Sequence, residues 1–164
     1  MKREHLGARA VRSNDEGFTL LELMTVVLII AILIAVLMPV FLGATSRAKD
    51  RAMQSSLHDA LTAAKIVYSD KQDYTQATTG ALTSADGSLT FVSDTTAPSG
   101  PKNVSVSPAS ATYIVFGGQS KSGECFYVSD DTSLGTEYAK ARGAGGCAAA
   151  GAPLPGDPAW KNTW

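Results

Sequence analysis

A stretch of twenty residues without an ionisable side chain, residues 23–42, constrains this chain more than any other feature. Fourteen of its residues are Leu, Ile, Val or Phe. At ~1.5 Å per residue, a helix of this length spans ~30 Å, about the thickness of a bilayer's hydrocarbon core. The apolar region of a secretory signal peptide is shorter, about 7–15 residues. The stretch therefore predicts a membrane-spanning helix rather than a removed signal peptide.

The flanking charges bear on the orientation of this helix. Four basic residues precede it and three follow it, so the positive-inside count favours a cytoplasmic N-terminus by a single charge. Cys125 and Cys147 both lie after the helix, where an oxidising exterior would suit them. We therefore expect a single-pass membrane protein whose N-terminus is inside. The basic residues are Lys2, Arg3, Arg9 and Arg12 before the helix, and Arg47, Lys49 and Arg51 after it.

Charge and motif content argue against several classes of function. The formal net charge is −1, and the basic residues are scattered, so no nucleic-acid partner is expected. His5 and His58 belong to no metal-binding or catalytic pattern, and no nucleotide-binding loop occurs. We therefore expect no enzyme activity, cofactor or metal. Cys125 and Cys147 lack zinc-site spacing, which leaves two free thiols or one bridge.

Glu22 lies just before the apolar stretch. A carboxylate this close to a membrane segment is energetically costly, so its presence requires an explanation. It can be an interfacial residue in the first turn that complements the helix dipole. A second interpretation starts from Gly17. If the chain is cut after Gly17, Phe18 carries a new α-amine, which is mostly protonated at neutral pH, and Glu22 lies one turn further along. Both interpretations remain open from these residues alone.

The string GFTLLE at residues 17–22, followed by a long aliphatic run containing Pro39, resembles the N-terminal signature of type IV pilins and pilin-like proteins. The resemblance implies that a prepilin peptidase cuts after Gly17 and N-methylates Phe18. It also implies assembly roles for Thr19 and Glu22, with the glutamate pairing to the N-terminal amine of a neighbouring subunit. Residues 1–17 would then be a cytoplasmic leader peptide.

Helical periodicity continues beyond the apolar stretch, with apolar residues at steps of three and four from Ala48 to Tyr68. One helix is therefore predicted over residues 18–70. Its part at 18–42 is the membrane-spanning or filament-core segment, and its part at 43–70 is amphipathic. Pro39 and Gly43 are expected to kink or loosen it.

Residues 71–164 have a different composition and predict a small β-sheet head. A Gly-rich turn at 117–123 predicts a hairpin, and 77–100 is expected to be a solvated loop containing one short strand. The overall prediction is an α+β pilin fold, in which the long N-terminal helix packs against an antiparallel sheet. The candidate strands are 89–92, 103–107, 112–116 and 125–129.

Three features near the end of the sequence complete the predictions. The resemblance favours a Cys125–Cys147 disulfide, since pilins commonly carry a disulfide-bounded loop near the C-terminus; two reduced thiols are the alternative. An acidic cluster is expected to be a solvated turn, with calcium binding as a weaker alternative. Trp160 and Trp164 either cap the sheet or form an exposed, adhesive surface. The acidic cluster comprises Asp130, Asp131, Ser133 and Glu137.

The resemblance implies a structural subunit of a filament. Its expected partners are identical or related pilin subunits in a helical homo-oligomer, the prepilin peptidase, the inner-membrane assembly platform with its ATPase, and membrane lipid. The precursor would lie in the cytoplasmic membrane and the product in an extracellular filament. One alternative is a pseudopilin of a type II secretion or DNA-uptake apparatus. Another is an uncleaved, signal-anchored extracellular binding domain.

Overall fold

A computed structural model describes residues 17–142 and 146–164. The predicted leader therefore lies outside the described residues, apart from Gly17. The chain divides into two compact units, with the boundary between Phe41 and Leu42. A single helix, α1 (Leu20–Lys71), contributes to both units. Its bounds confirm the helix predicted over 18–70, and it remains helical through Pro39.

The part of α1 in the first unit is exposed along its whole length, and it belongs to the one helix in the described part of the chain that could cross a membrane by length and composition. In the second unit α1 changes character, because small and apolar residues recur on one face. These residues are buried: Met53, Leu57, Ala60, Leu61 and Ala64. The stripe predicted from the sequence is thus a core-forming face.

The described part of the head contains five strands in the order β1-β2-β3-β4-β5. β2 to β5 pair antiparallel, whereas β1 pairs parallel with β2, which corrects the expectation of a wholly antiparallel sheet. The predicted α+β class is confirmed. The bounds are β1 (Thr90–Ser93), β2 (Asn103–Ser107), β3 (Tyr113–Gln119), β4 (Glu124–Asp131) and β5 (Gly135–Arg142).

Three local expectations were wrong. β5 was not predicted, because Ala, Lys and Glu alternate there with few β-branched or aromatic residues. A short helix, α2 (Thr79–Ala85), lies within the expected loop; the Thr78 hydroxyl caps it by accepting from the Ala81 N–H. The expected Gly-rich turn is shorter, since Gly117 and Gly118 lie inside β3.

The sheet has two covered faces. On one face, Phe116, Phe126 and Val128 pack with the α1 stripe in the main core. On the other face, Val115 and Tyr127 pack with Trp160 in a second cluster. Adjacent residues of β3 and β4 point to opposite faces, so the two cores alternate along each strand. Residues 146–164 are therefore anchored rather than frayed, although they contain only a 3₁₀ turn (Ala149–Gly151) and one bridge between Tyr138 and Lys161.

Candidate functional site

The predicted processing residues lie in the non-helical segment that precedes α1 and in its first turn. Gly17, Phe18 and Thr19 are non-helical, and the helix begins at Leu20. The Thr19 hydroxyl accepts a hydrogen bond from the Glu22 N–H at 3.2 Å. The Thr19 carbonyl accepts from the Leu23 N–H, also at 3.2 Å. Thr19 thus acts as the N-cap of α1, a role that suits a threonine hydroxyl.

Glu22 occupies the first turn of α1, where its negative charge complements the helix dipole. Its backbone carbonyl accepts a hydrogen bond from the Thr25 hydroxyl at 2.9 Å. Its side chain is exposed, and it forms no salt bridge with any cationic side chain in the described residues. Phe18 is also exposed, one turn before Glu22. The turn therefore presents a carboxylate and an aromatic side chain outward.

The surface that follows this turn is apolar on every side of the helix. Its large side chains from Leu20 to Leu42 are about half exposed or more, from 49% at Ile30 to 78% at Leu20. Water is a poor solvent for so large a contiguous apolar surface, which marks a site of contact with lipid or with other protein.

Comparison with known families addresses this same part of the chain. Residues 12–38 match the model of the prokaryotic N-terminal methylation motif. This match supports a type IV pilin-like prepilin with a class III signal. Its class III signal and its apolar helix fit a membrane-anchored precursor, and proteins of this kind are structural subunits that assemble with other pilin subunits. The match ends at residue 38, and no curated protein or solved structure shows significant similarity to the chain.

The remaining predicted residues of the prepilin lie in α1 and at the sheet. Pro39 and Gly43 are helical, and the Gly43 carbonyl accepts a hydrogen bond from Arg47 Nε at 3.3 Å. Cys125 of β4 and Cys147 form a disulfide, with their Cα atoms 5.1 Å apart. Both cysteines are buried in the cluster on the face away from α1. The bridge thus attaches residues 146–164 to the sheet.

Asp130 has a role that differs from the one predicted. The expectation of a solvated turn is wrong for this residue, which is 6% exposed and lies on the α1 side of β4. Its carboxylate accepts hydrogen bonds from the Tyr74 hydroxyl at 2.6 Å and the Thr136 hydroxyl at 2.5 Å. Lys65 Nζ of α1 lies 3.0 Å away. This network joins α1, β4 and β5.

Burial, followed by the hydrogen bond and negative charge of Asp130, raises the pKa of Tyr74 well above its ordinary value. Strand alternation could have identified Asp130 beforehand, because it shares the face of Phe126 and Val128, four and two residues earlier.

Asp131 fits the predicted turn. Its carboxylate accepts from the Ser133 hydroxyl at 2.5 Å and from the Ser133 N–H at 2.8 Å. These hydrogen bonds lower the pKa of Asp131, the one from the hydroxyl first. Neighbouring Asp130 and Asp131 therefore have separate partners. In the ranges 17–142 and 146–164, no group of three or more His, Cys, Asp or Glu side chains is placed to hold a metal ion.

The two tryptophans also have distinct environments. Trp160 is buried, and its indole N–H donates to the carbonyls of Pro153 at 3.2 Å and Leu154 at 3.1 Å. Trp164 packs edge-on against Phe126, with ring centroids 5.2 Å apart, and it is 38% exposed. Trp160 thus belongs to the core on the disulfide side, whereas Trp164 covers part of the sheet on the α1 side.

Proposed function

We propose that this chain is a structural subunit of a type IV pilus-like filament. It enters the cytoplasmic membrane with its N-terminus inside, is cut after Gly17 and is N-methylated at Phe18. The apolar helices of many subunits then bundle, and the filament extends from the cell surface. The observation that carries this proposal is the contrast between the two parts of α1, one without cover and the other covered by the head.

The amphipathic part of α1 needs no foreign partner, because the sheet of the same chain buries its apolar stripe. The apolar part at residues 20–42 has no such cover in the described chain. In the precursor, lipid can surround it. Outside a bilayer, a helix that is apolar on every side must be enclosed by other helices. Equivalent helices of neighbouring subunits would supply that enclosure through head-to-tail contacts.

Gly17 supports processing at the predicted bond. A Cβ atom added at Gly17 would meet no heavy atom of the described residues within 4 Å, and the residue does not need a positive φ. The fold of this chain therefore gives no reason for glycine at this position. Recognition by an external peptidase gives such a reason, since a missing side chain lets the enzyme approach the backbone closely.

Glu22 supports a fixed register between subunits. In a helix bundle of low dielectric, removing one partner of a buried ion pair costs about 3–5 kcal/mol. The N-terminal amine of a processed neighbour and the Glu22 carboxylate would each be unpaired after an axial slip. Pairing of the amine with the carboxylate would therefore favour one axial offset between neighbouring subunits. Thr19 would help by capping the helix start that presents both groups.

This function implies several partners besides the subunit itself. The prepilin peptidase would act on the bond between Gly17 and Phe18. An inner-membrane assembly platform with its ATPase would extract the processed subunit from membrane lipid. Pseudopilins share this processing, so long filaments on the cell surface are the feature that distinguishes the proposed function from theirs.

The decisive experiment expresses Glu22→Gln in the source cell, with Glu137→Gln of the head as a control for loss of one carboxylate. We expect both variants at wild-type levels in the membrane fraction, each starting at methylated Phe18 by mass spectrometry. Surface filaments, counted by electron microscopy, should be lost with Glu22→Gln and retained with Glu137→Gln. Wild-type protein that starts at Met1 in the membrane, or normal filaments from Glu22→Gln, would overturn the proposal.

A further inference from the structure

A basic cleft lies on the head where α1 meets the sheet edge. It has a volume of about 300 Å³, and its walls come from α1, β4, β5 and Trp164. Three cationic side chains and one carboxylate line it, which leaves a net charge of +2. We call this surface the basic cleft; its charged residues are Arg47, Arg51, Lys140 and Asp50.

The acidic groups near the basic cleft leave its arginines without a carboxylate partner. Asp50 Oδ1 accepts hydrogen bonds from the hydroxyls of Ser120, at 2.7 Å, and Ser122. Glu124 lies 3.9 Å from Lys140 Nζ. Neither arginine has a salt bridge to a described residue, and the hydrogen bond from Arg47 Nε goes to the Gly43 carbonyl. Two guanidinium groups therefore remain available to an anion.

An aromatic group borders these charges. The Trp164 ring lies 5.2 Å from Phe126 and 4.9 Å from Tyr138, between centroids. Lys140 Nζ lies 5.4 Å from the Phe126 centroid. Indole rings concentrate at membrane interfaces, because they have an apolar body and a polar N–H. Guanidinium forks match the geometry of phosphate oxygens. Their combination suits the headgroup layer of a bilayer.

Sequence distance brings Arg47 of the basic cleft close to that layer. Arg47 follows Leu42, the last residue of the apolar stretch, by five helical residues. At ~1.5 Å per residue the separation is ~7.5 Å. The headgroup region adds roughly 5–8 Å on each side of the hydrocarbon core. A helix whose apolar stretch ends at the core boundary therefore brings Arg47 to the depth of the lipid phosphates.

We propose that the basic cleft binds the phosphate headgroups of anionic phospholipids while the prepilin resides in the membrane. This interaction is separate from the N-terminal turn, and it requires no filament. Lipid is favoured over free phosphate as the occupant, because Arg47 follows the end of the apolar stretch by only five residues. It is favoured over a second copy of the chain, because the aromatic ring beside the charges suits an interface.

The test uses the full chain reconstituted in vesicles of phosphatidylcholine alone, or of phosphatidylcholine and phosphatidylglycerol in equal parts. Both vesicles carry a nitroxide-labelled headgroup that quenches nearby tryptophan. The Trp164 signal is the difference between wild type and Trp164→Phe. We expect stronger quenching with phosphatidylglycerol, and added salt should weaken it. Arg47→Gln and Arg51→Gln should each shift the equilibrium between bound and unbound cleft roughly fivefold towards the unbound form.

The matched control is Lys71→Gln with Lys102→Gln, which removes two exposed positive charges outside the basic cleft and should leave quenching unchanged. Equal Trp164 quenching in both kinds of vesicle would overturn the proposal. So would wild-type quenching that does not change with added salt; neither result depends on a variant. Loss of the phosphatidylglycerol effect in inorganic phosphate, at an ionic strength where sodium chloride leaves the effect intact, would assign the cleft to free phosphate instead. Quenching that depends on the protein-to-lipid ratio would assign it to a second copy.

Discussion

The Tyr74 hydroxyl donates a 2.6 Å hydrogen bond to the carboxylate of Asp130, and both residues are buried between α1 and the sheet. Lys65 supplies the countercharge at 3.0 Å, so the buried carboxylate is paired. A hydrogen bond to a charged group is worth more than one between neutral groups. Tyr74 follows α1 closely, and the bond thus fixes the end of the long helix to β4.

Tyr74→Phe should lower the free energy of unfolding by about 1.5–3 kcal/mol, because the Asp130 carboxylate loses a buried donor. Tyr68→Phe is the matched control. Its ring stacks on Tyr74 with centroids 4.5 Å apart, but its hydroxyl makes no hydrogen bond to any described residue. We expect a change within about 0.5 kcal/mol for that variant. Denaturant unfolding of the full chain in micelles measures both, and equal losses would contradict the assigned role.

Stability should fall at alkaline pH. Burial raises the pKa of Tyr74, Tyr113 and Tyr127, and in Tyr74 the hydrogen bond and charge of Asp130 add to it. The folded state therefore retains protons that the unfolded state releases above its ordinary pKa of about 10. Stability is complete below that pH and decreases as pH rises further. Tyr74→Phe should flatten this decrease; an unchanged slope in thermal melts would refute the prediction.

Gly117→Ala should destabilise the head more than Gly118→Ala. A Cβ atom at Gly117 would collide with the backbone of residues 147–149, whereas one at Gly118 would meet the flexible end of the Met53 side chain. Overpacking typically costs about 1–3 kcal/mol, and Met53 can move more easily than backbone.

The control for this prediction is Gly80→Ala in α2, where an added Cβ meets nothing within 4 Å. It should be neutral or should stabilise by up to about 1 kcal/mol through helix propensity. Thermal melting temperatures rank the three variants. If Gly118→Ala proves less stable than Gly117→Ala, Met53 is held more rigidly than the backbone of residues 147–149 on the other face of the sheet.

Removing the disulfide with Cys125→Ala and Cys147→Ala should cost about 3 kcal/mol, on the chain-entropy account for a separation of 22 residues. Reductant should lower the unfolding midpoint of the wild type to that of the double variant, and should leave the double variant unchanged. The buried Trp160 should become quenchable by iodide at lower denaturant concentration. A loss below about 1 kcal/mol would show that packing alone holds residues 146–164.

Much of the fold could be predicted because its signals are local. The apolar stretch, the spacing of Leu57, Ala60 and Ala64, and the β-branched and aromatic runs each report the conformation of their own segment. The candidate processing site is local as well, since Gly17 to Glu22 are consecutive residues. A helix start and a peptidase motif need no long-range contact.

Three features depended on long-range contacts: β5, the parallel pairing of β1 with β2, and the partners of Asp130. The sequence by itself determined where the long apolar helix and strands β1 to β4 lie, and which bond is the candidate for cleavage. Only the tertiary structure decided that Asp130 meets Tyr74 and Lys65, that a side chain at Gly117 would collide with the backbone of residues 147–149, and that Arg47, Arg51 and Lys140 share one cleft. Periodicity shows which residues share a face, but the partner of that face comes from distant parts of the chain.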